Sequence, residues 1–277
     1  MLKAVKEARS ALALLNPEEV RNRARRPVRI GLIAAGDSGY TRMEEFFAVR
    51  EARSHHVFRA SDPEAPDRVD LVLYEPGLDM AEDAYPLDLA DPHPGLAQII
   101  REHDDLALTL ARQVPVFRGP AVDRFIHTTA RENALFAIAT ALPDVIPNLM
   151  EMPWAFGEWA SDTAFITANQ VRMAFQIAAA CGREVGFARQ KFEILSIGAG
   201  AFGWRAIARE LVGKIPFGGG LIPKGAIAYA GTFVVGKALE RLYAGRPAWT
   251  LEERKTAYRE ALENGKSVAG SVVEPNA

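Results

Sequence analysis

The residues best suited to chemistry follow an apolar run at positions 28–33. They read Ala34-Ala35-Gly36-Asp37-Ser38-Gly39-Tyr40-Thr41 and lead into a helical pattern. Strand, glycine-bearing turn and helix in that order are the setting of a phosphate-binding loop, whose backbone amides wrap phosphates while a lysine neutralises them. On that template Ala34 stands for the first glycine, Gly39 for the second, Tyr40 for the lysine and Thr41 for the metal-binding hydroxyl. The lysine charge is missing. The Asp-x-x-Gly stretch that holds magnesium in a GTPase becomes Tyr74-Glu75-Pro76-Gly77. No Asn-Lys-x-Asp guanine clamp follows positions 114–117, where Arg118-Gly119-Pro120-Ala121 stands instead. Losing all three charged groups removes most catalytic phosphate chemistry. Gly36, Ser38, Gly39 and Thr41 are left as a vestigial nucleotide-binding set, with GTP and magnesium as the ligands it would take. The same turn also spells Gly-Asp-Ser-Gly, which offers Ser38 as the nucleophile of a GDS-type esterase. That chemistry needs a histidine base, usually close to the C-terminus. The last histidine here is His127, four residues after Asp123 rather than three.

Three further patterns compete for attention. Gly198-Ala199-Gly200-Ala201-Phe202-Gly203 matches a dinucleotide fingerprint, but no Asp or Glu occurs from 212 to 239 to hold a ribose. The alternative is that Ser196, Gly200 and Gly203 are close-packing positions between helices. Ala228, Thr232 and Gly236 recur every four residues and form one small-residue ridge, suited to tight helix packing or to membrane contact. A membrane hairpin through 216–225 would have to carry Lys224, at a cost of about 3 kcal/mol at the bilayer centre. Lesser candidates are the His103-Asp104 doublet, with His55, His56 and His93 upstream, and the polar helical face of Asn169, Arg172 and Gln176. Cys181 reads as a small buried hydrophobe.

The elements that would position these residues fall into two classes. Positions 3–15 form an amphipathic pattern, and Asn16-Pro17 opens a short helix to about Ala24. Positions 28–33, 57–60, 69–74 and 114–117 read as buried strands alternating with helices, which predicts a small parallel sheet. A loop at 86–94 precedes a helix near 96–112. From there the strands stop. Thr129 and Glu132 form a capping box, predicting a helix that ends by Pro143. Ser161 or Asp162 starts a helix running to Cys181, with Gly182 as its stop. Further helices are predicted at 189–197, 203–212 and 225–243, and a last one capped by Thr250 and Glu253 and ending at Gly265. The expected fold class is α/β plus all-α: N-terminal helices at 1–27, a small parallel-sheet, degenerate P-loop-like domain at 28–128, and a glycine-rich helical domain at 129–277.

Composition narrows the function classes. With 49% hydrophobic and 25% charged residues the chain has the makings of a packed core, not of a disordered segment. A net charge of −2 gives no electrostatic case for nucleic acid. One cysteine excludes an intrachain disulfide and a thiolate-rich zinc site, and suits a reducing cytoplasm. The first fifteen residues lack the apolar core and cleavage site of a signal peptide. No run of about 18 apolar residues is present; the nearest, 215–236, is interrupted by Lys224. The run of Arg21, Arg23, Arg25, Arg26 and Arg29 reads as a solvated surface or a contact with anionic headgroups.

The segment from about Arg131 to Tyr243 resembles domain-of-unknown-function family 697, the helical module of YcjF-like inner-membrane proteins that also follows GTPase domains in bacteria. The carrying residues are Asn133-Ala134-Leu135, Leu142-Pro143, Thr167-x-Asn169-Gln170, Gly203-Trp204-Arg205, 208–213 and Ile215-Pro216, completed by 226–232 with Gly236. The resemblance implies a helical fold, association with GTPases and often with the membrane, and no catalytic residue to carry over. Ahead of it the chain looks like a shortened GTPase-like fold that departs from the pattern at Ala34, Tyr40 and Tyr74. The expectation is therefore a non-catalytic, cytoplasmic protein with no resident cofactor and no metal. Its partner is expected to be a protein or the inner-membrane surface, and self-association into a homo-oligomer stays open.

Overall fold

The computed structural model describes residues 15–47, 56–62, 66, 68–80, 83–140, 162–199 and 221–273. Gly200, Gly203, His55 and the helices expected at 3–15 and 203–212 lie outside those residues, apart from Leu15. The fold is mixed α/β and mostly helical, with a small parallel sheet of four strands. The chain gathers into two compact units, one of residues 19–124 and 179–183, the other of residues 1–18, 125–178 and 184–277.

The first unit holds the sheet. Helix α1 (Pro17–Arg25) opens as its sequence predicts: the Asn16 side chain accepts the Glu18 N–H at 3.0 Å, and Pro17 occupies the first turn, where no donor is needed. Strands β1 (Ile30–Ile33), β2 (Val57–Arg59), β3 (Leu71–Tyr74) and β4 (Ala84–Pro86) run parallel in the order β2-β1-β3-β4. Gly31 pairs with Phe58 on one side and Val72 on the other, which fixes the register across the two inner strands. Ile30, Leu32, Leu71 and Leu73, which share one face of the sheet, are buried. Helix α2 (Asp37–Phe46) follows β1; α3 (His93–Glu102) and α4 (Ala107–Gln113) follow β4.

Two sequence expectations fail here. Positions 114–117 are not the fourth strand: Pro115–Phe117 is a single 3-10 turn, and the fourth strand is Ala84–Pro86. Pro115 has no N–H to give an interior ladder, whereas Pro86 ends an edge strand, where proline is tolerated. The helix expected near 96–112 is two helices, broken between Glu102 and Ala107.

Helix α5 (Arg118–Ala139) starts eleven residues before Thr129, so the Thr129/Glu132 pair caps nothing; Thr129 is buried within the helix. Pro120 lies in its first turn, where the missing N–H costs no intrahelical bond.

The second unit is helical throughout its described part. It contains the rest of α5, most of α6 (Asp162–Ala180), α7 (Lys191–Ala199), α8 (Leu221–Tyr243) and α9 (Leu251–Val273). Gly182, with φ of 74°, ends α6 in the left-handed conformation that glycine adopts without cost. Helix α8 is covered on two sides. Ala226, Ala230 and Val234 pack against Tyr258, Ala261 and Leu262 of α9. The offset ridge of Ala228, Thr232 and Gly236 is also buried. A Cβ at Gly236 would fall 2.7 Å from Ile126 and 3.1 Å from the Met173 sulfur. The small residues thus serve close packing within a protein core, and no helix among the described residues is long and apolar enough to cross a membrane.

Helix α9 does not stop at Gly265 but continues to Val273. That glycine sits where the two helices touch: a Cβ there would lie 2.9 Å from both the Cα and the carbonyl oxygen of Ala226. It is present for space, not for termination.

Candidate functional site

In an open parallel sheet, ligands bind beyond the carboxyl ends of the strands where the strand order reverses. Here the chain leaves β1 toward β2 on one side and continues to β3 on the other, so that point lies between β1 and β3. The residues standing there are the turn at 34–36 and Glu75, immediately after β3. The position suits a phosphate. The local geometry does not.

Only three residues separate β1 from α2, and the Gly39 and Tyr40 N–H groups both donate to the Gly36 carbonyl, at 3.0 and 3.2 Å. A phosphate-binding loop keeps such amides pointing into the loop. The structure places the four residues of the vestigial set around the start of α2. Gly36 is the residue before the helix, Ser38 is exposed in its first turn, and Gly39 and Thr41 belong to the helix itself.

Glu75 was not singled out by spacing, yet it organises the site. Its Oε2 accepts the Ala35 N–H at 3.1 Å and lies where a Cβ on Gly39 would come within 2.5 Å. Its Oε1 is paired with Arg42. The carboxylate therefore takes the amide and the space that an incoming anion would use. Arg59, at the end of β2, is the other nearby cation. It forms a fork with Glu44 at 2.6 and 2.9 Å, reaches Asp37 at 3.2 Å, and stacks over Tyr40 with 5.1 Å to the ring centroid. The Glu44 hydrogen bond holds the guanidinium firmly charged. Among the described residues, the two guanidiniums Arg42 and Arg59 are thus matched by Glu75, Glu44 and Asp37.

The remaining candidates resolve individually. Ser38 has no hydrogen bond to a histidine among the described residues, and His127 Nδ1 is instead 2.7 Å from the Tyr229 hydroxyl, whose pKa burial raises. His103 belongs to a surface cluster: Tyr85 donates to Glu102 at 2.6 Å, and His103 Nε2 lies 2.9 Å from the same hydroxyl oxygen. That Glu102 bond pushes Tyr85 up to about 12 and holds Glu102 below the ordinary carboxylate range. Asp104 pairs with Arg124. No group of three or more His, Cys, Asp or Glu side chains converges on a metal position among the described residues.

Two residues of the expected polar face of α6, Asn169 and Arg172, bond to α5. Asn169 donates to Asn133 Oδ1 at 3.0 Å, and Asn133 donates to Thr232 Oγ1 at 2.9 Å. Gln170 donates to the same Thr232 oxygen at 3.3 Å, and Arg172 pairs with Glu132. Thr232, expected as a packing residue, is thus also the acceptor that ties α5, α6 and α8 together. These four side chains are buried, so each bond avoids an unpaired polar group in the core.

Compared with protein-family models, curated proteins and solved structures, the chain matches none of them.

Proposed function

We propose that this is a non-catalytic interaction protein, in which a degenerate GTPase-like α/β unit serves as a recognition surface and a helical unit of the family 697 kind docks on a helical protein partner. The observation that carries the reading is Glu75, which satisfies the Ala35 amide and lies against Gly39 at the switch point of the sheet. A carboxylate in the place of a phosphate satisfies the amide from within the chain. Arg42 and Arg59, the cations that would replace the missing lysine, already have carboxylate partners. A protein partner is favoured over the membrane because the ridge of Ala228, Thr232 and Gly236 packs internally, while Phe192 and Leu195 on α7 stand 70% and 66% exposed. Their three-residue spacing is that of a helix–helix contact.

The test is thermal unfolding of the full chain with GTP, ATP and magnesium. Saturable binding at 100 times the dissociation constant stabilises by about 2.7 kcal/mol. The expected result is no shift with any nucleotide. A saturable shift would overturn this reading in favour of a divergent nucleotide-binding protein. Cell fractionation addresses the partner: recovery in the cytosol is expected, and retention in membranes through alkaline carbonate would sink the protein-partner reading.

A further inference from the structure

The connection between α8 and α9 carries a site independent of the crevice described above. Helix α8 ends in a Schellman motif: the Arg246 N–H reaches the Arg241 carbonyl at 2.9 Å, the Gly245 N–H reaches Leu242 at 3.1 Å, and Gly245 has φ of 67°. In such a motif the side chains at the positions of Arg241 and Arg246 commonly share an apolar contact. Here both are arginines, so the turn gathers like charges. Thr250 and Glu253 then start α9 with a reciprocal cap, the Thr250 N–H donating to Glu253 at 2.7 Å and the Glu253 N–H to Thr250 at 3.3 Å. The cap brings Arg254 to the same place.

Between these ends lies a cavity of about 140 Å³. Val234, Ala238 and Leu242 give it an apolar floor, Trp249 a wall, and Arg241, Arg246 and Arg254 a cationic rim. Leu242 is half exposed, so the apolar floor is open to solvent. Arg241 is held in position by its bond to the Pro247 carbonyl at 3.0 Å and by Trp249, 5.6 Å from its guanidinium carbon. Arg246 and Arg254 form no ion pair among the described residues. The acidic group that senses this rim is Glu253, whose carboxyl is held low first by its bonds to Thr250 and then by Arg241. Three guanidiniums and no carboxylate stand among the residues lining the cavity, and Glu253 lies beside Arg241 alone of the three.

We propose that this cavity binds a small carboxylate carrying a single aromatic ring or a branched aliphatic group of similar size. A hollow of about 150 Å³ has room for one benzene-sized group, and its opening to solvent leaves the ligand's charged end at the rim. A carboxylate accepts the two-pronged guanidinium geometry that arginines at the rim provide, and its charge relieves the repulsion among them.

The probe is 3-phenylpropionate, titrated calorimetrically into the full chain, with 3-phenylpropanamide and inorganic phosphate as comparators. Saturable binding is expected with a dissociation constant on the order of 1 mM or below for a ligand of that size. Arg246→Gln and Arg254→Gln should each weaken it about tenfold, with melting curves checking that both variants fold. Affinity should also fall on raising the salt concentration. Absence of saturable binding overturns the proposal, as does an amide that binds as well as the acid. Phosphate binding as tightly as the acid would overturn it too, because the apolar floor would then contribute nothing. A nucleotide shift, by contrast, bears only on the Glu75 crevice.

Discussion

Gly265 and Gly270 lie on the same helix five residues apart, and replacing each with alanine should change stability in opposite directions. Alanine is favoured over glycine in a helix interior by about 1 kcal/mol, partly because it restricts the unfolded chain. At Gly270, in the last turn of the helix, nothing among the described residues beyond its own stretch of chain lies within 4 Å of the added Cβ, so the gain meets no clash. At Gly265 the Cβ would meet Ala226 Cα and its carbonyl oxygen at 2.9 Å, and the Tyr229 Cβ at 3.0 Å. Two of those atoms are backbone of α8 and cannot rotate away. Overpacking costs about 1–3 kcal/mol, and rigid neighbours place this site near the upper end. After the propensity gain, Gly265→Ala should destabilise by about 2 kcal/mol. In a unit of this size each kcal/mol moves the midpoint by about 2–4 °C. Gly265→Ala should therefore melt about 4–8 °C below the parent and Gly270→Ala about 2–4 °C above it, followed by circular dichroism at the helical band. A Gly265→Ala protein as stable as the parent would refute the claim that this glycine exists for helix contact.

Three further outcomes are expected. Asn133→Leu strands the Asn169 amide and a Thr232 partner in the core, and should cost about 1–3 kcal/mol in urea unfolding; adding Asn169→Leu should recover part of that, since two apolar replacements leave fewer orphaned groups. Tyr258 is fully buried and its hydroxyl has no hydrogen-bond partner among the described residues, so Tyr258→Phe should be neutral or stabilising by up to about 1 kcal/mol, measured by the same unfolding. The hydrogen bond to Glu102 pushes the Tyr85 hydroxyl up to about 12 from an ordinary 10.0, so the folded state holds its proton more tightly. Its contribution is intact below pH 10 and is lost as pH rises through about 12; the absorbance change at the phenolate band that disappears in Tyr85→Phe should therefore centre near 12, and a midpoint near 10 would contradict the Glu102 bond.

Much of the local structure was legible in the residue order because the interactions that create it span only a few residues. The Asn16-Pro17 start, the reciprocal Thr250–Glu253 cap and the left-handed stop at Gly182 all form within about one helical turn. The three apolar runs that became β1, β2 and β3 carry the signature of buried parallel strands. The same local rules misread Thr129 and Gly265, because a capping residue or a glycine can also sit inside a helix when packing demands it.

The sequence by itself determined that the charges of a working phosphate loop are missing and that the C-terminal part is built from closely packed helices or a membrane face. Only the tertiary structure decided between those two: α8 is apolar around most of its circumference, a pattern shared by core and membrane helices, and its burial against α5, α6 and α9 places it in a core. Only the tertiary structure found Glu75, whose bond to Ala35 spans 40 residues, and the Asn133–Thr232 bond, which spans 99. The physical reason is common to both. A hydrogen bond between distant segments has no periodicity along the chain, and its partners are set only when the sheet order and the helix crossings have already brought them together.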